Sequence, residues 1–113
     1  MDNCIFCKIA SKQMDGQIQY EDEDIVAFDD INPKAPVHIL IVPKKHIGSV
    51  NELEDTDAAL AGKLILVAKK IAIEKGIDKT GYRLIFNVGK NSGQIVEHIH
   101  LHLLGGQKLG EMV

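Results

Sequence analysis

His98-Ile99-His100-Leu101-His102-Leu103-Leu104 is the stretch on which the fold turns. Polar and apolar residues alternate, and alternation marks a strand whose successive side chains point to opposite faces. On that reading the three imidazoles share one face, and Ile99, Leu101 and Leu103 point into a core. The chain has five histidines and three of them are here. Packing gives no reason to line one face with groups that titrate near neutrality. The pattern points to chemistry: a nucleophile, proton transfer or metal ligation.

Working outward, Tyr82 to Val88 reads as the preceding strand, followed by the loop Gly89-Lys90-Asn91-Ser92-Gly93. Gly105-Gly106 closes the histidine strand. The remaining histidines also fall in or just after strands. His38 sits in Val37 to Val42, a nearly continuous β-branched run that reads as a central strand ended by Pro43. His46 follows in Pro43-Lys44-Lys45-His46. Ile18 to Tyr20 and Ile25 to Phe28 read as two further strands around the acidic turn Glu21-Asp22-Glu23-Asp24. Cys4 to Lys12 predicts a short helix broken by Asp15-Gly16. Asp55 to Lys75 predicts a long one, with Leu60, Leu64, Val67 and Ile71 in one stripe and Ile65, Ala68 and Ala72 in a second. That arc is wide for a helix lying on one sheet and suggests a second contact, such as another subunit. Gly76 is the expected stop. The prediction is an α+β domain over residues 1–113, an antiparallel sheet of about five strands with one long helix and a short N-terminal helix.

The net charge of −3 provides no broad basic field for a nucleic-acid backbone, though a few local donors suffice for one phosphate. Met1-Asp2-Asn3-Cys4 shows no signal-peptide pattern, and the apolar runs are far too short for a membrane span. A cytoplasmic protein is the expectation. Cys4 and Cys7 form a C-x-x-C pair. A lasting disulfide is disfavoured in a cytosolic protein, and no strand precedes the pair as in a redox motif. Half of a zinc site is the third reading.

Taken together, these segments resemble the histidine-triad (HIT) nucleotide-binding family, most closely its Hint-type branch. The resemblance rests on His98 to Leu104, on Asp30-Ile31-Asn32-Pro33-Lys34-Ala35-Pro36-Val37-His38, and on Pro43-Lys44-Lys45-His46. Cys4-Ile5-Phe6-Cys7-Lys8-Ile9, Gly93-Gln94 and Leu103-Leu104-Gly105-Gly106 add to it. It implies a HIT-like fold and hydrolysis of purine nucleoside 5′-phosphoramidates. His100 would attack the α-phosphorus to form a covalent nucleotidyl-histidine, which water then resolves. His100 should have one ring nitrogen tied to a backbone carbonyl, His102 should donate to phosphate oxygens or the leaving group, and His98 and His38 complete the catalytic set. Asp30 would accept from the ribose hydroxyls. Ile5, Phe6, Ile9, Phe28 and Ile31 would form the base slot. Asn87, Gly93, Gln94 and Ile95 would lie near the phosphate and leaving group.

Ile95 departs from the family, since many Hint-type proteins place a serine there. Ser92 is the substitute that the sequence offers. The tail also lacks the Trp-Pro-Pro-Gly ending of animal relatives. The resemblance further implies a structural zinc on Cys4, Cys7, His46 and His98, with His38 bonded to the second nitrogen of His98. No catalytic metal is expected. The partners implied are a purine nucleoside monophosphate or nucleotidyl conjugate and a second copy of the chain, with neither nucleic acid nor membrane. The alternatives are a dinucleoside-polyphosphate hydrolase, a non-catalytic nucleotide-binding regulator, or a metal centre on the three histidines themselves.

Overall fold

The computed structural model describes residues 4–112; Met1-Asp2-Asn3 and Val113, which belong to the terminal readings above, lie outside them. Five antiparallel strands form one sheet in the order β1-β2-β3-β5-β4. They are β1 (Ile18–Glu21), β2 (Ile25–Asp29), β3 (Val37–Pro43), β4 (Tyr82–Phe86) and β5 (Leu101–Gly105). The short helix α1 (Ile5–Ala10) precedes the sheet, and α2 (Ala58–Glu74) joins β3 to β4.

The two faces of the sheet carry different cores. One packs Ile25, Ile39, Ile41, Leu101 and Leu103 against Leu64, Val67, Ala68, Ile71 and Ala72 of α2. The other packs Val26, Phe28, Leu40 and Val42 against Phe6 and Ile9 of α1. Two-residue alternation thus sends Leu101 and Leu103 to the long helix and leaves His102 on the α1 face, opposite Leu40.

α2 starts with a 3-10 turn, Asp55–Asp57, in which Glu54 and Asp57 form a capping box. It ends at Gly76, whose φ of +72° suits glycine. The Gly76 N–H donates to the Ile73 carbonyl at 3.0 Å and the Ile77 N–H to that of Ala72 at 3.0 Å, a Schellman closure with Ile77 buried beneath it. The helix is narrower in its contacts than its sequence suggests. Leu60 is only partly buried, and Ile65 is exposed along with Leu66 and Ile73.

Two strand boundaries differ from the sequence reading. β4 stops at Phe86, two residues before Val88. β5 begins at Leu101, so His98, Ile99 and His100 precede the regular strand. The cause is the local partner. Pairing with β3 ends at Ile41↔Leu101, and the Ile99 N–H then donates to the Ile47 carbonyl. The Pro43 carbonyl, at the end of β3, receives the His98 ring instead of a strand amide.

Candidate active site

The histidine segment lies against α1, on the sheet face away from α2. Phe6 touches both early imidazoles, with centroids 6.0 Å from His98 and 5.0 Å from His100. The His100 and His102 rings are 4.9 Å apart.

Each ring has a distinct task set by its hydrogen bonds. His100 is buried, and its Nδ1–H donates to the His98 carbonyl at 2.7 Å. Nε2 is then the nitrogen that carries the lone pair. Burial lowers the His100 pKa below the ordinary imidazole value, so the ring is neutral at pH 7.

His38 does not bond His98, contrary to the sequence expectation. It lies on the same sheet face as Leu40, where its neighbour is His102. The Lys34 backbone N–H donates to His38 Nδ1 at 3.0 Å, so the neutral His38 ring carries its proton on Nε2. That Nε2 lies 3.0 Å from His102 Nδ1 and 3.4 Å from an Asp30 carboxylate oxygen. Donation to His102 Nδ1 leaves the His102 proton on Nε2. This Nε2 is buried without a hydrogen-bond partner among the described residues. A backbone amide therefore sets one tautomer, which sets the next, and the chain of bonds ends in an unused donor. Burial lowers both pKa values, that of His102 to about 4, which keeps the pair neutral.

A cavity of about 720 Å³ opens over these rings, large enough for a nucleotide. His100 and His102 line it, as do Asp30 and Asn87, with Ile5, Phe6, Ile9 and Phe28 as apolar wall. Ile31, Gly93 and Ile95 also reach it. Ile31 is 87% exposed and Ile95 is 93% exposed, so neither is a core residue. Asp30 is part of the loop turn as well: one carboxylate oxygen accepts the Asn32 N–H at 2.8 Å.

Two expected residues are occupied elsewhere. Gln94 does not line the cavity; its side chain donates to the Gly48 and Val96 carbonyls and accepts from the Gly89 N–H, stapling the loop. The Ser92 hydroxyl donates to the Gly89 carbonyl at 2.7 Å and gives no replacement for a serine at position 95. The sequence reading missed Asp15, Gly16, Gln17, Asp29, Asn32, Leu40 and Val96, which also line the cavity. Only the Asp15-Gly16 break before β1 and the Asp30 to His38 motif marked any of them.

Cys4, Cys7, His46 and His98 converge as a separate cluster, their nearest ligand atoms all within 4.8 Å of one another. His98 Nδ1 lies 3.3 Å from the Cys4 Sγ and 3.4 Å from that of Cys7, and His46 Nδ1 lies 3.3 Å from the Cys7 Sγ. Ordinary zinc bond lengths in a tetrahedron give sulfur–nitrogen edges of about 3.5 Å. His98 Nε2–H donates to the Pro43 carbonyl at 2.8 Å, which turns the Nδ1 lone pair towards the thiols. Burial, with the Cys4 thiol alongside, pushes Cys7 up to about 11. The donor set fits a cation, which would hold the thiolates that burial disfavours. A second group, Asp30, His38 and His102, also comes together, but His38 spends its Nε2 proton on His102.

An antiparallel α+β sheet that offers an anchored histidine and a donor histidine to one cavity defines a histidine-triad nucleotide-site architecture. The HIT domain family model matches residues 11–109, and the chain belongs to that family. It is 46% identical over 112 residues to the purine nucleoside phosphoramidase of Escherichia coli K12, covering 99% of this chain and 94% of that protein. Among solved structures, a HIT family hydrolase from Legionella pneumophila is 49% identical with a TM-score of 0.94, covering 96% of each chain. A histidine triad protein from Clostridium difficile is 47% identical with a TM-score of 0.95, covering 100% of this chain and 97% of that one.

Proposed function

We propose that this chain hydrolyses purine nucleoside 5′-phosphoramidates through a nucleotidyl-His100 intermediate. The observation that carries the reading is the His100 ring: neutral, tied at Nδ1 to a carbonyl, and lining the cavity. Its Nε2 lone pair attacks phosphorus and the P–N bond breaks. The nitrogen leaves as the amine, taking a proton from water at the open rim beside Ile95, and the hydroxide so formed takes up the proton that the second, attacking water releases. Water then attacks the phosphorus, the bonding pair returns to Nε2, and the nucleoside monophosphate departs. His102 Nε2–H donates to a phosphoryl oxygen as charge grows there. Asp30 accepts from the ribose hydroxyls.

The cavity wall favours this over polyphosphate cleavage. Among the described residues that line it there is no lysine or arginine, and it carries Asp15, Asp29 and Asp30. Extra phosphates would find no cation in this lining to offset their charge. Adenosine 5′-phosphoramidate, assayed for AMP release with the wild type and His100→Ala, tests the reading. Turnover that vanishes in the variant while AMP binding remains supports it; equal turnover in both removes His100 from the chemistry.

Cys4, Cys7, His46 and His98 would hold a structural zinc with no open position, tying α1 to the segment that carries His100. The chemistry derived above uses no catalytic metal. A homodimer is supported by exposed Leu66 and Ile73 on the outer side of α2 and by β4 at an open sheet edge. No helix among the described residues is long and apolar enough to cross a membrane. The expected cytoplasmic location rests on the sequence reading.

A further inference from the structure

The cavity has a direction. His100 marks the reacting end. Phe6 lies 5.0 Å from His100 and 5.4 Å from Phe28, centroid to centroid. Beyond Phe28 and Ile9 comes the Asp15-Gly16-Gln17 segment between α1 and β1. A Cβ on Gly16 would sit 3.0 Å from Ile9 Cγ2 and 3.8 Å from Phe28 Cβ, so its backbone rests directly on the apolar wall. The Gln17 carbonyl accepts the Asp29 N–H at 3.0 Å and pins the segment to β2. Asp15 and Gln17 therefore flank the slot beside Ile9 and Phe28, on the far side of Phe6 and Phe28 from His100 in the placement argued below, and both line the cavity.

The three carboxylates of the wall are not equivalent. Asp29 accepts from the Gln19 amide at 3.2 Å to both oxygens. Asp30 accepts the Asn32 N–H and faces His38. The Asp15 carboxylate has no hydrogen-bond partner among the described residues.

We propose that Asp15 reads the purine edge and makes the site prefer guanine over adenine. The inference rests on the nucleotide reading above. With the phosphate at His100, the base extends along Phe6, Phe28 and Ile9 and presents the edge opposite its glycosidic bond to Asp15. Guanine offers N1–H and the N2 amine there, two adjacent donors that match two carboxylate oxygens. Adenine offers the N1 lone pair, which a carboxylate repels, because an ionised carboxyl group only accepts. The Gln17 amide can donate to guanine O6 or, turned over, accept from the adenine N6 amine, so it does not discriminate.

The test compares guanosine, inosine and adenosine 5′-phosphoramidates, with titration of GMP, IMP and AMP, on the wild type, Asp15→Asn and Asp15→Ala. Inosine keeps N1–H and lacks the N2 amine. A well-formed bidentate pair gives roughly a tenfold preference for guanine over adenine, with hypoxanthine between them. Both variants should bring the three bases to within about twofold, with the change in KM and binding rather than kcat. Equal GMP and AMP affinity in the wild type, or an unchanged preference in Asp15→Ala, overturns the proposal. Guanine-selective binding lost with Asp15 but without turnover upholds it and sinks the hydrolase reading. Turnover without base preference does the reverse.

Discussion

Replacing His38 with phenylalanine should slow turnover without emptying the pocket. The substitution keeps a ring in the buried site and removes the donor 3.0 Å from His102 Nδ1. A neutral hydrogen bond of this kind is worth about 1 kcal/mol, a factor of about five in the His102 tautomer ratio. The unwanted tautomer turns a bare lone pair on Nε2 towards the phosphoryl oxygen. Complete loss of one such donor costs on the order of 10²–10³ in rate. Since bound substrate itself favours the correct tautomer, the loss stays within the tautomer factor, about two- to fivefold in kcat and far short of complete loss of the donor, with nucleotide affinity nearly unchanged. Steady-state kinetics on a nucleoside phosphoramidate reads the rate, and nitrogen NMR of the imidazoles reads the tautomer. In the double variant with His102→Ala, the His38 change should add almost nothing. A wild-type kcat in His38→Phe, or an additive double variant, would refute the relay from Lys34 through His38 to His102.

Ile95→Ser should raise turnover most for poor amine leaving groups, because it places a hydroxyl at the open rim that Ser92 cannot supply; a series of amines of graded basicity would reveal an unchanged dependence if that is wrong. Purified protein should contain one zinc per chain by elemental analysis, and chelation or Cys4→Ser with Cys7→Ser should lower Tm, whereas a metal-free protein with the same Tm would remove zinc from the fold. Acid should weaken the fold through His102. Its pKa is about 4 in the folded state against an ordinary 6.5, so its contribution is complete above pH 6.5 and is lost as pH falls towards 4. Melting curves of wild type and His102→Gln across that window should show a shallower pH slope in the variant. Leu66→Glu should convert a dimer to monomer in light scattering if α2 forms the interface, while an unchanged mass would place it elsewhere.

Sequence periodicity alone determined much of this protein. The nearly continuous apolar run of Val37 to Val42 and the alternation from His98 to Leu103 place β3 and β5, because a strand buried between two layers must be apolar on both faces unless a polar residue has a task. The stripe through Leu64, Val67 and Ile71 places α2, and Gly76 stops it for a reason local to its backbone. The histidine positions and the C-x-x-C pair were equally visible, being properties of spacing. What only the tertiary structure decided is which nitrogen meets which partner. His98 and His38 look interchangeable as partners along the chain, yet register places His38 diagonally from His102 and leaves His98 facing Pro43 and the cysteines. Gln94 reads as a ligand contact but is spent on the backbone of its own loop and of Gly48 after β3, because the Gly48, Gly89 and Val96 backbone groups surround it. Asp15 carried no signal beyond a turn. It becomes a candidate reader of the base only when α1 and β2 bring Ile9 and Phe28 beneath Gly16, a contact between segments that no local pattern encodes.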